Sequence, residues 1–176
     1  DAFMITNLDD RNGLVMAQNT RARVKTYSLR SMSDFKGRLL ESGFDGMLLE
    51  INGREAFFRF IGRFNASNLL AVYGTAVMLG RDPMEVLTVM STLTPANGRF
   101  EAIRSPRGYT AIVDYAHTPD KIRGCISVAS EIAARSRQKI VVVYEPLTNR
   151  RQHFMKDDYQ NCFDGAAKVY WLPSYL

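Results

Sequence analysis

Tyr109-Thr110-Ala111-Ile112-Val113 runs directly into Asp114-Tyr115-Ala116-His117-Thr118-Pro119-Asp120, and this stretch decides the fold. The first five residues have strand character. Thr118 and Pro119 then supply a helix start, because proline at the first helical position loses no hydrogen bond. The predicted helix carries Ile122, Cys125, Ile126, Ala129, Ile132 and Ala133 on one face. Next, Lys139-Ile140-Val141-Val142-Val143-Tyr144 is a nearly continuous apolar run, the pattern of a strand covered on both sides. A helix from about Arg151 to Asp164 aligns Met155, Tyr159, Cys162, Phe163 and Ala166, and Lys168 to Leu172 follows as another strand. Strand, helix, strand, helix, strand predicts an α/β fold with right-handed βαβ units on a parallel sheet. Ligands of such folds bind at the carboxyl ends of strands, and Asp114 sits at one.

Upstream the pattern is different. Residues up to about 60 read as short strands and turns. Arg23 to Ser28 alternates polar and apolar side chains, Gly37 to Glu41 does so less cleanly, and an antiparallel sheet is expected. Asn52-Gly53 between Met47–Ile51 and Arg54–Phe60 predicts a hairpin, because a type I′ turn needs positive φ at both central residues. Two helices follow. The first is expected to be capped by Asn65, to bury Leu69, Leu70, Tyr73, Ala76 and Val77, and to stop at Gly80. In the second, Asp82, Pro83 and Glu85 fit the cap, first-turn and capping-box positions, with Val86, Leu87 and Met90 inward. Thr94-Pro95-Ala96-Asn97-Gly98 breaks the pattern, which predicts two domains, 1–94 and 95–176.

Composition sets the outer limits. With 176 residues, 46% of them hydrophobic, the chain is long enough for a substantial core and lies between one ordinary domain and two small ones. Cys125 and Cys162 fall at apolar helix-like positions, so they read as small buried hydrophobes and not as a disulfide or metal site. No apolar run reaches the roughly 18 to 20 residues that cross a bilayer, and no signal-peptide pattern opens the chain. A soluble, cytoplasmic protein with no membrane partner is expected. Strand-like residues begin at Ala2 and the last segment stops just after a strand, so both ends look cut. The formal net charge of +5 favours anionic partners. Basic residues are scattered and form no stripe, which argues against nucleic acid.

The segment 114–120 offers a carboxylate, a phenol, an imidazole and the N–H groups of a helix start. Asp114 is suited to ribose hydroxyls, Tyr115 to stacking or hydrogen bonding, and the helix start to an anion. Arg99, in Gly98-Arg99-Phe100-Glu101, adds a fork for phosphate or carboxylate. The same groups equally suit a strand-end turn that satisfies its own backbone, with His117 a surface residue.

Gly98-Arg99-Phe100-Glu101, Asp114 to Asp120, and the upstream Gly62-Arg63-Phe64-Asn65-Ala66-Ser67-Asn68-Leu69-Leu70-Ala71 together resemble the Mur ligases. These are ATP-dependent amino-acid ligases that build the peptidoglycan stem peptide. Three motifs in the family's order are far more specific than one. The resemblance makes residues 1–94 the later part of the central ATPase domain and 95–176 the first part of the Rossmann-like C-terminal domain. Up to about residue 125 the chain is most similar to the branch that adds the third residue of the peptide. The resemblance implies ATP and Mg2+ as cofactors, and a UDP-N-acetylmuramoyl-peptide and an amino acid as partners. It also implies that Asn65 and Asn68 lie near the adenine, that Arg99 reaches the nucleotide across a closing cleft, that Asp114 and Tyr115 contact ribose and adenine, and that His117 lies towards the phosphates.

Two departures from the family stand in the sequence. No Gly-x-x-x-x-Gly-Lys-Ser/Thr loop occurs in the 176 residues, so the groups that would carry catalysis and hold Mg2+ are expected upstream and no metal ligand is assigned here. The segment Tyr144-Glu145-Pro146-Leu147-Thr148-Asn149-Arg150-Arg151 is closer to the loop of the first-residue and murein-recycling ligases, which leaves the added amino acid open. Arg150 and Arg151 at a helix start either hold that amino acid's carboxylate or form a solvated pair of charges. A non-catalytic module that binds a nucleotide or a protein is the alternative to a ligase.

Overall fold

The computed structural model describes residues 2–146 and 148–173, and of Asn149 and Arg151 the backbone alone. The fold class is α/β, as expected, and the chain divides into two compact units, Asp1–Pro95 and Ala96–Leu176.

The first unit holds a five-stranded sheet in the order β1 (Phe3–Asn7), β2 (Arg23–Ser28), β3 (Phe35–Gly43), β4 (Gly46–Ile51), β5 (Arg54–Phe58). It is mixed, which corrects the expected antiparallel sheet: β1, β2 and β3 are parallel, and only β3, β4 and β5 are antiparallel. Helix α1 (Gly13–Ala17) lies in the link from β1 to β2. The loop from β2 doubles back instead of turning a hairpin. Asp34 anchors its end to the middle of β2, accepting from Thr26 N and Oγ1 at 2.9 Å each and pairing with Lys25. That ion pair and the amide bond hold the Asp34 carboxyl down to about 2.

The Asn52-Gly53 turn forms as read, with φ of 48° and 78°. Asn52 also ties the hairpin to β3: its Oδ1 accepts from Lys36 N at 2.7 Å and its N–H donates to Lys36 O at 2.9 Å. Helix α2 (Arg63–Met78) begins earlier than expected, with Gly62 at the cap position, where φ is 90°. Asn65 is therefore inside the first turn and donates its side-chain amide to Ile61 O at 2.8 Å, so it does not cap the helix. Gly80 ends it, at φ 83°: Gly80 N bonds Val77 O and Arg81 N bonds Ala76 O, the 5→2 and 6→1 pair of a Schellman motif. Helix α3 (Pro83–Thr92) starts on Asp82, whose carboxylate accepts from Met84 N and Glu85 N at 2.9 Å each. Both helices turn Leu69, Leu70, Tyr73, Val86, Leu87 and Met90 onto a core shared with Phe35, Met47, Leu49, Ile51 and Phe58 of the sheet.

In the second unit β6 (Glu101–Arg104) and β7 (Thr110–Val113) form an antiparallel hairpin, while β8 (Val141–Tyr144) and β9 (Lys168–Trp171) form a parallel pair. The strand read at 109–113 thus finds its partner in β6, a four-residue segment too short to register by alternation. The turn at Ser105–Gly108 makes this pairing local, with Gly108 at φ 85° and Ser105 N bonded to Tyr109 O at 2.9 Å. Helix α4 (Pro119–Arg135) buries Ile122, Ile126, Ala129, Ile132 and Ala133, the face read from the sequence. Two expectations are corrected. Val141 and Val143 are 56% and 64% exposed, so β8 is covered on one face only. The helix expected over 151–164 is a six-residue α5 (Asn149–Phe154) followed by turns. Those turns keep the apolar spacing, so Tyr159 and Cys162 still reach the core beside Ile122, Ile126 and Tyr144. Both cysteines are free, with Cys162 buried and Cys125 half-buried.

Candidate functional site

The β6–β7 hairpin carries two motifs that are far apart in the sequence to one end of the second unit. In the register Glu101 lies opposite Val113, so the residues just before β6 meet those just after β7. Tyr115 N donates to Gly98 O at 3.0 Å, and the Asp114 carboxylate accepts from Phe100 N at 2.8 Å. Glu101 turns back to accept from Gly98 N at 2.9 Å. Between these bonds the chain makes a tight turn with φ of 68° at Gly98 and 48° at Phe100. The second value is costly for a residue with a Cβ. Burial of the Phe100 ring, only 1% exposed, holds it there.

This turn presents Arg99. Its guanidinium lies 5.2 Å from the centre of the Tyr115 ring, within cation–π range. Tyr115 is exposed, and its ring centroid is 4.8 Å from that of His117. His117 Nδ1 is 2.9 Å from Tyr115 O. A carbonyl only accepts, so Nδ1 carries the proton and Nε2 of the neutral ring is the acceptor. Arg99, Tyr115 and His117 thus form one accessible row, with the two rings tilted at 56° and Asp114 bonded to the backbone next to Arg99. A cation, a phenol and an imidazole in a row suit an anionic ligand that has an aromatic or hydroxylated part.

The Asp114 carboxylate has a second protein partner. The Cys125 thiol of α4 hydrogen-bonds it, and burial together with this negative neighbour pushes the thiol up to about 12. Cys125 therefore stays protonated and serves as a donor, not as a nucleophile. The ion pair Arg123–Asp120, at 2.7 Å, lies on the first turns of the same helix.

Of the residues expected to form a site, Arg99, Asp114, Tyr115 and His117 come together. Asn65 and Asn68 belong to α2 of the first unit, where Asn68 Nδ2 donates to Asn65 Oδ1 at 3.4 Å. Nearby, Ser67 Oγ accepts from Asn7 Nδ2 at 3.4 Å, and burial raises the Tyr27 hydroxyl, which hydrogen-bonds Ser67. Arg150 is exposed on α5, with its guanidinium 6.0 Å from the Phe154 ring. The side chain of Arg151 lies outside the described residues. Glu101 and Cys125 were given no part in the site by sequence reasoning. A signal for Glu101 was present, three residues after a glycine at a turn; none marked Cys125. Among the described residues no group of three or more His, Cys, Asp or Glu is placed to hold a metal ion, and none is assigned to Mg2+. No helix among them is long and apolar enough to cross a membrane.

Residues 98–173 match the family described as Mur ligase, glutamate ligase domain, which takes in the whole row. The chain is 61% identical over 142 residues to the UDP-N-acetylmuramoyl-L-alanyl-D-glutamate–2,6-diaminopimelate ligase of Phocaeicola vulgatus, covering 81% of this chain and 29% of that protein. The ligase of the same name from Bacteroides fragilis is 59% identical over 143 residues, covering 81% and 30%. This chain thus spans less than a third of the length of these curated relatives. Among solved structures, a ligase of that same name superposes with a TM-score of 0.65 at 25% identity, over 97% of this chain and 36% of the other. The UDP-N-acetylmuramate-alanine ligase of Thermotoga maritima gives 0.70 at 24% identity, over 86% and 34%, a likeness of fold.

Proposed function

We propose, from the premise that this chain belongs to the Mur ligase family, that it forms part of an ATP-dependent ligase of peptidoglycan synthesis. In this reading the ligase joins an amino acid to a UDP-N-acetylmuramoyl-peptide. The observation that carries the reading is the row Arg99–Tyr115–His117 next to Asp114, inside the matched residues. Asp114 and Tyr115 would take the ribose and adenine, Arg99 the negative charge of the nucleotide, and His117 the phosphate side. Asn65 and Asn68 are assigned to the adenine and Arg150 and Arg151 to the incoming amino acid on the resemblance alone. Residues 1–94 are then the later part of the ATPase domain, and 95–176 the first part of the C-terminal ligase domain.

The chemistry proposed is two successive displacements. The γ-phosphoryl group of ATP passes to an oxygen of the substrate carboxylate, giving an acyl phosphate and ADP. The amine of the amino acid attacks the acyl carbon, the C–N bond forms, the bond from carbon to the phosphate oxygen breaks, and the nitrogen loses a proton. Mg2+, held by residues elsewhere in the ligase, would supply charge neutralisation at the phosphates. Arg99 and the polar groups beside it hold the nucleotide in place, and such positioning accounts for most of the catalysis of a phosphoryl transfer.

The test is ATP binding by this chain, followed by phosphate release from the complete ligase with a UDP-N-acetylmuramoyl dipeptide and diaminopimelate. Lacking a Gly-Lys-Ser/Thr loop, the 176-residue chain is expected to bind ATP weakly and to release no phosphate. The complete ligase should release phosphate only when both substrates are present. Nucleotide binding by the complete protein without any phosphate release would favour the non-catalytic module.

A further inference from the structure

We propose that Glu101 is a positioning residue for Arg99, acting through the turn that carries it; this rests on the nucleotide reading above. The turn from Gly98 to Phe100 needs left-handed backbone at two residues, one of them a phenylalanine, and such a turn does not persist without outside support. Three side-chain contributions provide it. Asp114 takes the Phe100 N–H, the Phe100 ring is sealed in the interior, and the Glu101 carboxylate takes the Gly98 N–H at 2.9 Å. The first two fix the far side of the turn. Of these side chains only Glu101 reaches back across Arg99, to the N–H of the residue whose carbonyl Tyr115 N holds, so it closes a loop in which Arg99 is the residue displayed.

Arginine is among the side chains with most freedom to lose on binding. Here the turn and the Tyr115 ring restrict it beforehand. Without the Glu101 carboxylate the Gly98 N–H loses its acceptor, and the near side of the turn keeps only the backbone bonds Tyr115 N to Gly98 O and Arg99 N to Ala96 O, which leave it looser. Arg99 then samples positions away from Tyr115. Glu101 itself touches no ligand in this proposal.

Two measurements test it. In the 176-residue chain, ring current from Tyr115 should shift the Arg99 side-chain protons upfield in the nuclear magnetic resonance spectrum. Glu101→Ala should abolish that shift, and Glu101→Gln, whose amide oxygen still accepts, should keep it. In the complete ligase, Glu101→Ala should raise KM for ATP about tenfold with kcat within about twofold, and Gln should restore most of it. Combined with Arg99→Ala it should add nothing, because both changes remove one function. Should the alanine variant not fold, Glu101→Asp, one methylene too short, is expected to give the same spectral and kinetic losses. An upfield shift that survives Glu101→Ala or Glu101→Asp overturns the proposal, as does a KM effect that multiplies that of Arg99→Ala. Unchanged KM in Arg99→Ala alone would refute the nucleotide reading instead, and the spectrum would still decide the role of Glu101.

Discussion

Asp114→Ala in the complete ligase is expected to raise KM for ATP by about ten- to a hundredfold, the range for losing a hydrogen bond to a charged group. The variant should also lower the melting temperature, because the same carboxylate holds Phe100 N in its left-handed turn. Leaving that amide without a partner costs about 1–3 kcal/mol, or roughly 5 °C or more for a unit of this size. Asp114→Asn separates the two effects. Its carbonyl oxygen still accepts from Phe100, so the melting temperature should hold within about 2 °C. Its amide nitrogen cannot accept from a hydroxyl, so KM should still rise. Loss of thermal stability in the alanine variant with ATP kinetics untouched in both would mean that Asp114 is a turn-stabilising residue only.

Gly46→Ala should cost about 3–4 kcal/mol, among the largest effects of a single methyl group in this chain. Gly46 opens β4 at φ 143°, where a side chain is strained whatever the space around it. A Cβ there would lie 2.3 Å from Phe58 O and 2.7 Å from the Phe57 ring. Phe58 O belongs to a strand paired through Met47, so it cannot retreat without breaking the ladder. Gly43, directly across the β3–β4 pair, is the control: a Cβ on it meets nothing within 4 Å. Urea unfolding should give a midpoint for Gly43→Ala close to that of the parent and a much lower one for Gly46→Ala. A pair of equal midpoints would show that the backbone at residue 46 adapts freely.

Much of this fold was legible in the residues, and the reasons differ from place to place. Asn52-Gly53, Asp82-Pro83 and Gly80 announce themselves because each solves a backbone problem that few other residues solve. The start of α2 was misread for the same kind of reason: Asn65 is a good cap, but Gly62 reaches the required φ three residues earlier. Periodicity found the buried face of α4, and it also suggested a long helix after Arg151 where consecutive turns satisfy the same apolar spacing. The β6–β7 hairpin was missed, and with it the fact that the two motifs of the site share one backbone network. Residue types pointed to Arg99, Asp114, Tyr115 and His117. They contained nothing about Asp114 receiving the Phe100 amide or the Cys125 thiol, since both depend on which strand pairs with which.

The tie between Asn52 and Lys36 has a consequence for how the first unit assembles. Strands β3, β4 and β5 join neighbours in the chain, and one asparagine links the tight turn between β4 and β5 to the edge of β3. Hairpins of this kind close within about 1–10 μs, whereas pairings across longer separations wait for the chain ends to meet. Residues 35–58 are therefore expected to pair first, which φ-values near one for variants in β4 would show. The parallel strands β1 and β2, whose pairing spans longer separations, are expected to join later, against the surface of α2.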